Sequence, residues 1–115
     1  MTERPRERKR TFAYDEAASL LPEVRRITEA AQDEVRAAGI AVSPDGGLGP
    51  AVQEQLAAIV QGWTQRILAL GLEVKGLWLV DFDNGSGYYC WRYPEAGLQF
   101  YHSYDDGFPG RMRIQ

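Results

Sequence analysis

Glu73-Val-Lys-Gly-Leu-Trp-Leu-Val-Asp-Phe-Asp-Asn-Gly-Ser-Gly-Tyr-Tyr-Cys-Trp-Arg-Tyr-Pro-Glu-Ala-Gly-Leu-Gln-Phe-Tyr-His-Ser-Tyr-Asp-Asp-Gly-Phe-Pro-Gly-Arg111 is the stretch that decides the fold. Runs of aromatic and β-branched residues are interrupted there by Asn84-Gly85 and by Pro94-Glu95-Ala96-Gly97, the pattern of three antiparallel strands joined by two tight turns. The stretch also holds the lone cysteine, Cys90, and the lone histidine, His102.

With Asn84-Gly85 as a two-residue turn, Asp83 faces Ser86, Asp81 meets Tyr88 and Leu79 meets Cys90. With Arg92 opposite Leu98 across the second turn, Tyr88 falls opposite His102 and Cys90 opposite Phe100. A slip of two residues would change neighbours but not faces. One face carries Leu77, Leu79, Asp81, Tyr88, Cys90, Arg92, Leu98, Phe100 and His102; the other carries Trp78, Val80, Phe82, Tyr89, Trp91, Tyr93, Gln99, Tyr101 and Ser103. The first has the smaller aliphatic centre on which long helices pack. The second is a continuous aromatic surface, so Trp78, Tyr89, Trp91, Tyr93 and Tyr101 form a candidate interaction face. Alternation alone leaves open which face is the inner one.

Upstream of this stretch the period changes. Ala17, Leu20, Leu21, Val24, Ile27, Ala31, Val35 and Ala38 recur at steps of three and four, which predicts a helix over 14–38 with a kink at Pro22. Six glycines and prolines from Gly39 to Pro50 predict a loop, and its Gly46-Gly47-Leu48-Gly49 lacks the lysine and hydroxyl residue of a phosphate-binding loop. Pro50 then opens a second helix with Val52, Leu56, Ile59, Val60, Trp63, Ile67 and Leu70 on one face, ending at Gly71. The expected fold is α+β: a long antiparallel helical hairpin followed by a three-stranded antiparallel β-meander. Such helices reach about 37 and 31 Å, against some 23 Å for the strands. The sheet would leave one end of the hairpin uncovered, which predicts a homodimer, the alternative being a partner helix from another protein.

Composition bounds the function. At 115 residues and 44% hydrophobic, the chain suits one domain over 11–115, and no apolar run is long enough for a membrane span. One cysteine permits neither an internal disulfide nor a Cys-x-x-Cys zinc pair, which together with the charged start predicts a cytoplasmic protein. Residues 1–10 carry net charge +3 although the whole chain carries −3. They read as a disordered basic leader, and the acidic body makes nucleic acid an unfavourable partner.

The chemistry-bearing residues are Asp81, Tyr88 and His102, aligned across three strands, with Asp105, Asp106 and Arg111 in the segment that follows. A carboxylate beside an imidazole serves acid–base work, and a histidine with two aspartates can hold a divalent metal near His102. The plainer expectation is a hydrogen-bonded sheet end in which Asp81 and His102 satisfy each other. Cys90 reads as a buried structural thiol, and Arg92 and Arg111 as partners of local carboxylates such as Asp81 or Asp105. Residues 105–111 are dense in turn formers, so they should fold back over the sheet with Phe108 as anchor.

Phe12-Ala13-Tyr14-Asp15-Glu16-Ala17, Leu20-Leu21-Pro22-Glu23, Val80-Asp81-Phe82, Cys90-Trp91-Arg92, Tyr101-His102 and Asp105-Asp106-Gly107-Phe108-Pro109-Gly110-Arg111 occur in this order. The series resembles a small bacterial family, domain of unknown function 2203, over about residues 10–111. Ala13 stands where the pattern has a threonine, and Tyr101 and Ser103 where it has a tryptophan and an aspartate. The resemblance implies no activity. The foremost expectation is therefore a non-enzymatic homo-oligomeric interaction module. A small metal-binding or acid–base hydrolytic protein centred on Asp81, His102 and Asp105 is the alternative.

Overall fold

The computed structural model describes residues 10–40 and 49–114. The leader expected over 1–10 lies outside the described residues except for Arg10, and so does the glycine-rich part of the expected loop, residues 41–48. Arg10 donates to the Leu70 carbonyl (2.9 Å), and its guanidinium lies over the Phe12 ring.

Helix α1 spans Tyr14–Ala37 and runs unbroken through Pro22. Asp15 and Glu16 sit in its first turn, where the helix dipole favours negative charge. Glu16 reaches back to accept the Ala13 N–H (2.8 Å), but alanine cannot return the bond, so only half of a capping box forms. Helix α2 spans Pro50–Ala69, with proline in its first turn and Gly71 in the left-handed region just beyond its end. The two helices are joined by a buried polar link. Thr28 donates to the Val24 carbonyl (2.8 Å) and accepts from the Trp63 indole (2.9 Å), so neither group is left unpaired.

The sheet corrects the expected architecture. It has five antiparallel strands in sequential order, not three: β1 Glu73–Gly76, β2 Leu79–Asp83, β3 Gly87–Arg92, β4 Phe100–Ser103 and β5 Met112–Arg113. The extra first strand arises because the chain reverses at Leu77-Trp78, between paired Gly76 and Leu79. Trp78 there has φ 60, a left-handed conformation that a bulky residue rarely adopts, so nothing local announces the turn. Tertiary contacts hold it. The Trp78 ring packs edge-on against Trp63 at 5.0 Å, and its carbonyl accepts from Tyr93 N–H (3.0 Å). The fifth strand is only two residues long, too short for an alternation to show.

Register also differs by two residues in the first predicted hairpin. The loop is Gly85-Ser86 rather than Asn84-Gly85, with Asn84 N–H donating to the Gly87 carbonyl (2.9 Å). Gly85 takes the positive φ of 94 that the first loop position demands. Asn84 closes the turn from outside, its Oδ1 accepting from the backbone of Ser86 (2.9 Å) and Gly87 (2.8 Å). Consequently Asp81 pairs with Cys90 and Leu79 with Arg92, whereas Tyr88 with His102 and Cys90 with Phe100 stand as expected.

The aromatic face is the inner one. Val80, Phe82 and Trp91 are fully buried beneath Ala17, Leu21, Val24 and Ile27 of α1 and Trp63 and Ile67 of α2, with Trp78, Tyr89 and Tyr93 partly buried at the margin. Tyr14 closes that margin, edge-on to Tyr89 and donating to the Leu98 carbonyl (2.9 Å). Leu98 also joins the core, because residues 93–99 form an irregular connection in which strand alternation no longer applies. Arg25 of α1 donates to the carbonyls of Glu95 and Ala96, tying that connection to the helix layer. The candidate interaction face is thus mostly the chain's own core; of its five residues only Tyr101 is exposed.

Candidate metal centre

The outer face of the sheet carries the polar residues, and the segment after β4 folds across it. Asp81 on β2, Cys90 on β3 and His102 on β4 come from three adjacent strands, and each is at most 3% exposed. One potential donor atom from each lies within 4.8 Å of the other two. The corrected register makes this trio: Cys90 faces Asp81 directly, and His102 reaches diagonally across β3 to accept or donate at Asp81 Oδ2 through Nε2 (3.0 Å).

The hydrogen bonds fix how the ring is presented. Nδ1–H donates to the Ser103 carbonyl (2.8 Å), which leaves Nε2 aimed into the trio. Both ring nitrogens thus face oxygen atoms, Nδ1 the Ser103 carbonyl and Nε2 the Asp81 carboxylate. A backbone carbonyl on the far nitrogen is also the partner that orients a metal-ligating histidine. Asp81 Oδ1 is buried without a hydrogen-bond partner, a costly condition for a carboxylate oxygen.

Burial raises the Asp81 carboxyl above its usual range, partly opposed by His102, the Cys90 thiol and Lys75. Burial also pushes the Cys90 thiol up to about 12, with the Asp81 charge beside it acting in the same direction. The thiol is no free nucleophile, since its thiolate is strongly disfavoured unless a cation compensates it. Arg111 reaches Cys90 Sγ only at 4.0 Å, because its guanidinium is engaged by Glu95 (2.8 and 3.0 Å) between the Phe100 and Phe108 rings.

In front of the trio lies a cavity of about 240 Å³, walled by Lys75, Leu79, Tyr88, Tyr104, Asp106 and Phe108. Tyr88 donates to Glu73 (3.0 Å) and tilts its ring against His102, and Lys75 sits over that ring at 4.5 Å while pairing with Glu73. Tyr104 donates to Asp83 (2.6 Å) and meets Tyr88 edge-on, forming the rim.

The residues singled out in the sequence divide accordingly. Asp81, Tyr88 and His102 come together, and Asp106 lines the cavity while accepting from Ser103 Oγ (3.0 Å). Asp105 is exposed and does not line the cavity. Arg111 touches the trio only through Cys90 Sγ, its carboxylate partner being Glu95 rather than Asp81 or Asp105. Cys90 is the member that sequence reasoning left out. Its place on the same face as Asp81 and His102 was the available signal.

Fold and site together define a small α+β protein with a buried carboxylate–thiol–imidazole centre on the sheet's outer face. The chain belongs to the family described as uncharacterized conserved protein (DUF2203), which matches residues 10–114. No curated protein and no solved structure matches it. Among the described residues no helix is long and apolar enough to cross a membrane.

Proposed function

We propose that the protein binds one divalent transition-metal ion, zinc foremost, through Asp81, Cys90 and His102. The observation that carries this reading is the convergence of three buried donors of different chemistry within 4.8 Å. Tetrahedral zinc with sulfur, nitrogen and oxygen ligands places its donors roughly 3.3–3.7 Å apart, so the trio has to draw in by about an ångström at its widest. A mixed oxygen, nitrogen and sulfur set suits zinc better than calcium or magnesium, which prefer oxygen alone. The cation would give Asp81 Oδ1 a partner and supply the positive charge that a Cys90 thiolate requires.

Three protein ligands leave a fourth position, and the cavity supplies space for it. A cation held this way would supply Lewis-acid chemistry toward a carbonyl or water, with Tyr88, Lys75, Tyr104 and Asp106 as neighbouring polar groups. The acid–base reading of the site is thereby absorbed into the metal reading, with Cys90 replacing Asp105. Cobalt(II) titration is the test. We expect one equivalent to produce an intense thiolate-to-cobalt charge-transfer band that zinc abolishes and that Cys90→Ala lacks. A featureless spectrum, or a band retained in Cys90→Ala, would sink the proposal.

Assembly is a second reading with its own observation. Buried residues of α1 stop at Ala31 and those of α2 begin at Trp63, while Val35, Val52 and Leu56 remain partly open. We propose a homodimer through that half of the hairpin, in a reducing, cytoplasmic setting suited to a lone thiol.

A further inference from the structure

The cavity at the candidate centre has a neighbour on the other side of Leu79 and Phe108. Leu79 and Phe108 also wall a neighbouring groove of about 390 Å³, completed by Leu77, Arg92 and Pro109. Apart from Arg92 its walls are apolar, and Leu77 at the tip of the β1–β2 turn is 51% exposed.

Phe108 stands between two guanidinium groups of unequal status. Arg111 lies 4.1 Å from the ring centroid and is neutralised by Glu95, whereas Arg92 lies 5.5 Å away. Among the described residues the Arg92 side chain has no hydrogen bond or ion pair. Its main-chain N–H, not its guanidinium, binds Glu95 (2.9 Å). An unneutralised guanidinium beside apolar walls is a carboxylate receptor, since its planar fork matches the two oxygens.

Register sets the spacing. Arg92 and Cys90 are two residues apart on the same face of β3, and their partners on β2 are Leu79 and Asp81. The Arg92 backbone therefore belongs to the row next to the candidate centre, roughly 7 Å along the strand from Cys90, and Leu79 and Phe108 line both cavity and groove.

We propose that cavity and groove form one two-ended site for a small aliphatic acid. Its carboxylate binds Arg92, its methylene chain lies on Leu79 and Phe108, and a second oxygen or nitrogen donor at its far end reaches the Asp81–Cys90–His102 centre. The far end of this assignment rests on the metal reading; the Arg92 end does not.

The experiment is calorimetric titration of the zinc-treated full chain with hexanoate and with adipate, which share the chain and differ in the second carboxylate. We expect both to bind, adipate at least tenfold more tightly. Arg92→Gln should weaken both at least tenfold while leaving the cobalt spectrum intact. Cys90→Ala should reduce adipate to the level of hexanoate without affecting hexanoate, and His102→Gln should do the same if Cys90→Ala fails to fold. Absence of binding, or binding indifferent to Arg92→Gln, would overturn the assignment. Equal affinities for the two acids in the zinc-treated wild type would overturn its two-ended form. If cobalt is not bound at all the metal reading falls alone, and loss of hexanoate binding in Arg92→Gln still decides the groove.

Discussion

Cys90 concentrates the chemistry of the molecule in one side chain. Its thiol lies at the middle of the central strand, faces a buried carboxylate and is held protonated by burial, up to about 12. In the unfolded chain it ionises near its ordinary value of 9.0. Between these values the folded state keeps a proton that the unfolded state has released, so stability falls as pH rises through that window. The metal-free wild type should therefore lose stability on going above about pH 9 more steeply than Cys90→Ala, as measured by urea unfolding at a series of pH values. Parallel curves would contradict the burial assigned to the thiol. A bound cation reverses the logic, because it takes the thiolate and releases the proton.

Among the elements, the start of α1 is only half finished. Ala13 occupies the cap position with extended backbone (φ −70, ψ 161), the geometry that lets a hydroxyl side chain bond the first turn, but it has no hydroxyl. Glu16 already supplies the reciprocal bond. Ala13→Thr should complete the box and raise unfolding stability by about 1 kcal/mol, visible as a higher denaturant midpoint with unchanged slope. An unchanged midpoint would show that the backbone entering α1 is held by other contacts, of which Phe12 N–H to the Asp83 carbonyl (2.7 Å) is the nearest. The β1–β2 turn shows the opposite balance. There a tryptophan is kept in a left-handed conformation by its packing on α2, so the element exists because of its tertiary surroundings.

For the whole molecule, the two layers divide the work. The helices and the aromatic face make the core, while the outer face and the turn through Phe108–Gly110 make the site. Helices of 24 and 20 residues extend about 36 and 30 Å, well past strands of two to six residues. Sedimentation equilibrium should accordingly give twice the mass of 12.9 kDa, and Leu56→Glu should shift the protein toward one copy without altering cobalt binding. A monomeric wild type would remove the dimer reading and leave the metal centre untouched, since all three ligands come from one chain.

Periodicity was enough to read both helices and the strands from Leu79 to Ser103, because side-chain alternation and helical repeats are local properties of the chain. It also placed Asp81, Tyr88, Cys90 and His102 on one face, since a two-residue slip preserves parity. Three things were decided only by the tertiary structure. The aromatic face turned inward because Val80, Phe82 and Trp91 bury more apolar surface against the helices than the outer face, with its carboxylates and imidazole, could do at acceptable cost. The strand β1 depended on a turn whose residue carries no turn signal and is held by Trp63. The pairing of Asp81 with Cys90 depended on Asn84 closing the hairpin from outside its loop. That choice between two neighbouring registers assembled the three donors, and hydrogen bonds formed only in the folded chain made it.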